Sequence, residues 1–222
     1  SDWVTGTIAP TSQNQGSGTD LLTAAVFDYE TKNSYNIRVQ TSDGANSYQE
    51  AFTITVNDVN EAPTDIALSA NAVDENLASG TVVGGLSTTD ADNGNTFTYT
   101  LVGGGSDNDR FSISGTNLVT AAVLDFETKN SYSIVIQTSD GSATYSKTFS
   151  ITVNNANDTP TDIALSASAV DENLASGTVV GGLSTTDADN GNTFTYTLVG
   201  GGSDNDRFSI SGTNLVTAAE LD

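Results

Sequence analysis

Short stretches in which every second residue is apolar run through most of this chain. In Phe97-Thr98-Tyr99-Thr100-Leu101 the apolar side chains fall on alternate positions. Tyr132, Ile134, Ile136 and Thr138 form one such face, and Phe149, Ile151 and Val153 form another. A period of two is the mark of a strand with one face in a core and one in water. Helical periodicity is nearly absent. Gly, Asn and Asp clusters such as Ala91-Asp92-Asn93-Gly94-Asn95, Gly103-Gly104-Gly105 and Ser139-Asp140-Gly141 punctuate the strands as turns and loops. About seven short strands per hundred residues predict an all-β fold, a Greek-key antiparallel β-sandwich of immunoglobulin-like type.

The pattern also repeats. Asp74-Glu75-Asn76 returns 97 residues later as Asp171-Glu172-Asn173, and Asp90-Ala91-Asp92 returns as Asp187-Ala188-Asp189. Asp28-Tyr29-Glu30 returns as Asp125-Phe126-Glu127, and Asn60-Glu61-Ala62-Pro63 as Asn157-Asp158-Thr159-Pro160. Self-similarity at a fixed period implies a tandem array of units, here of ordinary small-domain size. The register predicts a second-half unit over 1–63, a complete unit over 64–160 and a first-half unit over 161–222. Residues 1–18 follow the repeat poorly and carry the only Trp, Trp3.

A half sandwich leaves its core face in water and is not stable alone. The halves admit three readings: an arbitrary fragment boundary, complementation between chains into swapped dimers or head-to-tail filaments, or disordered ends. The absence of Met fits a fragment or a processed product.

Composition narrows the chemistry. Without Cys or His there are no disulfides, no thiol or imidazole catalysis and few routes to a zinc site. A formal net charge of -22 repels nucleic acid and anionic membrane surfaces and attracts divalent cations. No apolar run approaches the roughly 20 residues of a membrane span. Gly103–Gly105 lacks the Lys and Ser/Thr of a phosphate-binding loop and reads as a flexible connection.

The acids are placed, not scattered. Asp-Glu-Asn stands near the start of a unit, Asp-Ala-Asp before a Gly-rich turn, Leu/Phe-Asp-aromatic-Glu at 27–30 and 124–127, and Asp58-Val59-Asn60-Glu61-Ala62-Pro63 between units. In this order and spacing they resemble the cadherin repeat family, over roughly residues 19–222. The resemblance implies calcium ions at the junctions between repeats. At the first junction it implies Asp28 and Glu30 from the preceding unit, Asp58, Asn60 and Glu61 from the linker, and Asp90, Asp92 and Asp140 from the following unit. At the second it implies Glu75, Asp125 and Glu127, then Asn157 and Asp158, then Asp187 and Asp189. Loop carbonyls near Asn93 and Asn190 would fill remaining positions.

Three departures from the family pattern stand out. Glu61 occupies a usual Asp position, Asn155 replaces the Asp found at 58, and the first junction lacks an early Glu.

The chemistry is consistent with that implication. Calcium takes six to eight oxygen ligands at about 2.3–2.6 Å. Without a cation, two unit charges 4 Å apart cost about 1 kcal/mol in water and about 4 kcal/mol at an effective dielectric of 20. An ion turns that repulsion into a strut. The expected function is a calcium-stiffened structural and adhesive module of a secreted or cell-surface protein, not an enzyme. The near-identity of Asp74–Leu118 and Asp171–Leu215 resembles the repetitive adhesins and matrix proteins of bacteria. Expected partners are further copies or adjacent repeats, and a cell-surface or polysaccharide ligand, but not nucleic acid or an inserted membrane. The alternative is a carbohydrate- or matrix-binding module using Tyr48 and Tyr145. Trp3 suggests an exchanged N-terminal strand, but its register favours an apolar core or staple role.

Overall fold

The computed structural model describes Leu21, Thr23 and residues 25–220. Trp3, and with it the reading of 1–18, lies outside the described residues. The architecture is all-β. Strands β1 (Ser34–Ser42) and β2 (Ser47–Thr55) form an antiparallel hairpin in unbroken register from Ser34↔Thr55 to Ser42↔Ser47. Eight strands follow: β3 (Asp65–Leu68), β4 (Ala72–Asp74), β5 (Val82–Thr89), β6 (Thr98–Leu101), β7 (Phe111–Ser114), β8 (Asn117–Thr120), β9 (Ser131–Ser139) and β10 (Thr144–Asn154). They make two four-stranded sheets, β3-β5-β8-β7 and β4-β10-β9-β6.

The two sheets close on one core. Ile66, Leu118, Ile134, Ile136, Ile151 and Val153 are all 0% exposed. Tyr132, Ile134, Ile136 and Thr138 are inward on β9, as the alternation predicts, because a pleated strand sends successive side chains to opposite faces. Thr138 remains polar in this position because its hydroxyl lies 2.8 Å from Thr88 Oγ1, which also donates to the Tyr99 hydroxyl. The pairing departs from pure antiparallel order at one place: β4 runs parallel to β10, Val153 opposite Val73. The chain leaves β5's edge after β3 and crosses to the other sheet at Ser69-Ala70-Asn71. Asn71 fixes that crossing by accepting from Thr152 N and donating to Ser150 O.

Two sequence expectations are corrected. Tyr145 is not a free surface aromatic: it lies on the inward face of β10 and packs against the core. Gly103–Gly105 is not a slack connection. A Cβ on Gly105 would stand 2.1 Å from Asn108 Oδ1 and 2.8 Å from Val135 N. Asn108 bridges Val102 O and Val135 N there, so the loop is bolted to β9.

The last part holds β11 (Asp162–Leu165), β12 (Val179–Thr186), β13 (Phe208–Ser211) and β14 (Asn214–Thr217), one sheet in the order β11-β12-β14-β13. Each starts 97 residues after its counterpart β3, β5, β7 or β8. Among the described residues no second sheet covers it.

Candidate metal centre

Three groups of carboxylates converge, each with oxygens within 4.8 Å of one another: Glu30, Asp58, Glu61 and Asp92; Glu75, Asp125 and Glu127; and Glu127, Asp158 and Asp189. Glu127 belongs to the second and the third, so these two adjoin. Nine of the fifteen residues singled out from the sequence lie in these three groups.

Elements on both sides of each linker position them. At the first junction Glu61 N donates to Asp92 Oδ2 at 2.9 Å, and Asn60 Nδ2 to Asp140 Oδ2 at 3.1 Å. At the second, Asp158 N donates to Asp189 Oδ2 at 2.6 Å. Asp92 N and Asp189 N each fold back onto Asp90 Oδ1 and Asp187 Oδ1, the tight turn expected of Asp-x-Asp before Gly. The other oxygens of that pair, Asp90 Oδ2 and Asp187 Oδ2, are buried and have no hydrogen-bond partner. Buried polar atoms are nearly always partnered, so these two equivalent oxygens stand free to accept from water or to meet a cation.

Glu75 is the most enclosed acid, 2% exposed. Its oxygens accept from Phe126 N at 2.6 Å and Ala156 N at 2.8 Å. One side chain thereby ties the end of β4, the 124–127 segment and the linker. Its remaining lone pairs face Asp125 and Glu127.

Asp28 and Asp125 cap equivalent turns. Each accepts from the backbone N–H and hydroxyl of a Thr three residues on, Thr31 and Thr128, and those bonds hold both carboxyls below the ordinary aspartate range. Asp140 is lowered likewise by Ala143 and Ser142 N–H. Glu61 and Glu127 are pushed up. Desolvation is the first cause for both. Repulsion follows, from Glu30, Asp92 and Asp58 on Glu61, and from Glu75, Asp158 and Asp189 on Glu127. Like charges gathered across a linker are held together at an electrostatic cost.

Asp28, Asp90, Asp140, Asp187, Asn60 and Asn157 fall outside the three groups. Asn60 and Asn157 each turn their amide to the carbonyl of the next residue at 2.6 Å. Two contributors escaped the sequence reading. Asn76 adopts φ 60 and donates to Asp158 Oδ1 at 2.8 Å; Asn155 donates to Glu127 Oε1 at 3.0 Å. The readable signal for Asn76 was its place after Asp-Glu, since Asn tolerates the left-handed region better than most residues. Asn155 was read only as a lost charge. With Tyr145 in the core, Tyr48 alone is exposed of the two aromatics considered for sugar binding.

The described residues thus form an all-β sandwich with carboxylates gathered across its linkers. Residues 70–154 match the cadherin domain model, and the chain carries a cadherin-like domain. It is 28% identical over 219 residues to Protocadherin Fat 1 of Homo sapiens, covering 91% of this chain and 5% of that protein. It is 29% identical over 198 residues to Protocadherin Fat 4 of Mus musculus, covering 83% and 4%. The chain thus spans a small fraction of these relatives. Among solved structures it is similar to mouse Cadherin-23 EC22-24, with TM-score 0.59 and 25% identity over 89% of this chain and 68% of that one. Extracellular cadherin domains 1-4 of Protocadherin Gamma B7 give TM-score 0.56 and 25% identity over 88% and 51%. No described helix is long and apolar enough to cross a membrane.

Proposed function

We propose that this chain is a calcium-stiffened structural and adhesive repeat module of an extracellular protein, of the repetitive bacterial type, built as units 1–63, 64–160 and 161–222. The observation that carries the reading is the orphaned Oδ2 atom of Asp90 and of Asp187 beside carboxylates gathered across a linker. Their donor set is hard oxygen with no His or Cys, which suits calcium over transition metals. Glu30, Asp58, Glu61, Asp90 and Asp92 would hold ions at the first junction. Glu75, Asp125, Glu127, Asp158, Asp187 and Asp189 would do so at the second. Asp28 and Asp140 would act from the rim of the first junction, and Asn60 and Asn157 through the linkers.

Desolvation first, and mutual repulsion after it, raises Glu61 and Glu127, and a bound ion offsets the repulsion. The ion also fixes the angle between successive units, making a rod that presents or links surfaces. Adhesion is proposed by analogy with the cadherin relatives, and the likeness of repeated units favours a spacer role. The test is a melting curve in EDTA and then in stepped calcium. The expected result is a rise in Tm with calcium that magnesium reproduces poorly, since magnesium demands a tighter octahedron. A Tm indifferent to calcium in the millimolar range would reduce the acidic groups to solubilising turns.

A further inference from the structure

Four steps in this chain place an Asp or Asn before a glycine: Asp43-Gly44, Asn93-Gly94, Asp140-Gly141 and Asn190-Gly191. All four glycines take positive φ, at 91, 90, 100 and 89, and a Cβ on any of them would meet nothing within 4 Å. Each step carries a reaction of its own. The glycine nitrogen can attack the side-chain carbonyl carbon Cγ of the residue before it, and glycine has no Cβ to obstruct the approach. With both groups on adjacent residues the attack is unimolecular.

The fold treats the two pairs of steps in opposite ways. Asp43 Oδ1 accepts from Ala45 N at 2.9 Å and from Asn46 N at 2.7 Å, and Gly44 N donates to Ser42 Oγ at 3.2 Å. Asp140 Oδ1 accepts from Ser142 N at 2.6 Å and from Ala143 N at 2.7 Å, and Gly141 N donates to Ser139 Oγ at 3.1 Å. The attacking nitrogen and the group it would attack are both tied. The same bonds keep each carboxylate ionised, the form least open to a nucleophile.

Asn93 and Asn190 have none of this. Both lie exposed in turns, as do Gly94 and Gly191. Among the described residues neither side-chain amide has a hydrogen-bond partner, and neither does the N–H of Gly94 or Gly191. An amide also carries no charge to shield its carbon.

We propose that Asn93 and Asn190 are self-modifying sites, where the following glycine nitrogen displaces ammonia from the side chain, while folding spares Asp43 and Asp140. The N–Cγ bond forms and the Cγ–Nδ2 bond breaks. Nδ2 leaves as ammonia with the proton given up by the glycine N–H, and a cyclic imide remains in the main chain. Water opens the imide. Entry at Cγ gives aspartate, and entry at the main-chain carbonyl gives isoaspartate. The sum is asparagine plus water to a carboxylic acid plus ammonia, and no oxidant enters. Conversion at both sites takes the formal net charge from -22 to -24.

The position gives the reaction a consequence, a part that rests on the calcium reading. Asn93 follows Asp92, which accepts from Glu61 N at 2.9 Å and gathers with Glu30, Asp58 and Glu61. Asn190 follows Asp189, which accepts from Asp158 N at 2.6 Å. Isoaspartate lengthens the main chain by one carbon in the turn that presents these carboxylates, and so shifts them against their linkers.

Peptide mapping by mass spectrometry of the 222-residue chain, incubated folded and in urea, tests the proposal. Exchange of NH2 for OH is read as a mass gain, and isoaspartate as a changed peptide retention. Each step is compared with itself in the two states. Asn93 and Asn190 are expected to convert about as fast folded as in urea, whereas Asp43 and Asp140 isomerise in urea and not in the folded chain. Strong slowing of Asn93 or Asn190 by folding, or reaction of Asp43 and Asp140 at equal rates in both states, overturns it. The double variant Asn93→Gln, Asn190→Gln changes exposed positions and lengthens the side chain beyond easy ring closure. It is expected to lose most of the ammonia release of the folded chain; undiminished release overturns the assignment. After incubation the wild type should show a smaller calcium-dependent rise in Tm than before it, and the double variant an unchanged one. A rise that survives in full overturns the consequence for the junction. If calcium never raises Tm, the calcium reading falls with that consequence, and the mapping still decides the modification.

Discussion

Residues 64–122 and 161–219 differ at one position, Asn71 against Ser168, yet they are packed differently. In the first, Ile66, Leu118 and Phe111 are 0%, 0% and 3% exposed. In the second, Ile163 is 62% exposed, and Phe208 and Leu215 are only half-buried. Residues 72–74 and 98–101 are strands, whereas their counterparts are not. The local features survive: Asn76 and Asn173 share φ 60 and 61, and Thr88–Tyr99 and Thr185–Tyr196 keep the same 2.9 Å contact. The pairing of β5 with β8 and of β12 with β14, and the turns, form from residues within each segment itself. Strands β4 and β6 exist only because β10 and β9 offer them backbone partners.

The largest expected break in this comparison comes from the core. Ile66→Ala should cost about 2–5 kcal/mol. Ile163→Ala in dilute chain should cost well under about 1 kcal/mol, because little burial is lost. Urea unfolding of both variants measures it. Equal costs would mean that the last sheet is covered in solution, and a cost for Ile163→Ala that grows with protein concentration would point to a second copy.

A smaller pair should show no difference. A Cβ on Gly84 would lie 2.5 Å from Ala70 O, and one on Gly181 2.5 Å from Ala167 O. Gly84→Ala and Gly181→Ala should each lose about 1–3 kcal/mol to this overpacking. Proteolysis near each site, read as the rate of cutting, checks that both strand crossings loosen alike.

Asp107 sharpens the contrast electrostatically. The Lys129 ammonium first, then Ser133 N–H, holds its carboxyl below 3.8. A depressed folded pKa gives stability that is complete well above 3.8 and is lost as pH falls through the folded value. The wild type should therefore show a stability loss that starts near 3.8 and continues below it, and Asp107→Asn should flatten that limb. Lys129→Met should cost about 1–3 kcal/mol at neutral pH by leaving the carboxylate without its partner. Denaturant midpoints against pH report both.

The smallest effect belongs to the ion. On the proposed calcium reading, each ion at tenfold excess over its dissociation constant would add about 1.4 kcal/mol. Glu127→Gln touches two of the three acid groups. It should remove more of the calcium-dependent rise in Tm than Glu30→Gln, which touches one. Calorimetric titration of the two variants ranks them.

Much of this was readable before folding. Alternation assigned the inward faces of β9 and β10, since side-chain direction in a strand is fixed by sequence parity. The nine residues of the three groups are among those that the resemblance to cadherin repeats implied. Tyr145 was misjudged because an aromatic at a strand end follows the pleat inward when a core lies within reach. Gly105 was misjudged because Val135, which closes on it and bonds its neighbour Asn108, comes from β9, distant in the chain. Asn76 and Asn155 escaped because their partners, Asp158 and Glu127, are supplied by other segments.

The sequence by itself determined the strand faces and the turns, which depend on residues near one another in the chain, and it displays the 97-residue spacing outright. Only the tertiary structure decided how each of two nearly identical segments is packed, the repeat register having already shown that the second half of a unit follows the first of them. The reason is that burial and ladder hydrogen bonds depend on a partner sheet, and here β9 and β10 cover the one while, among the described residues, no sheet covers the other.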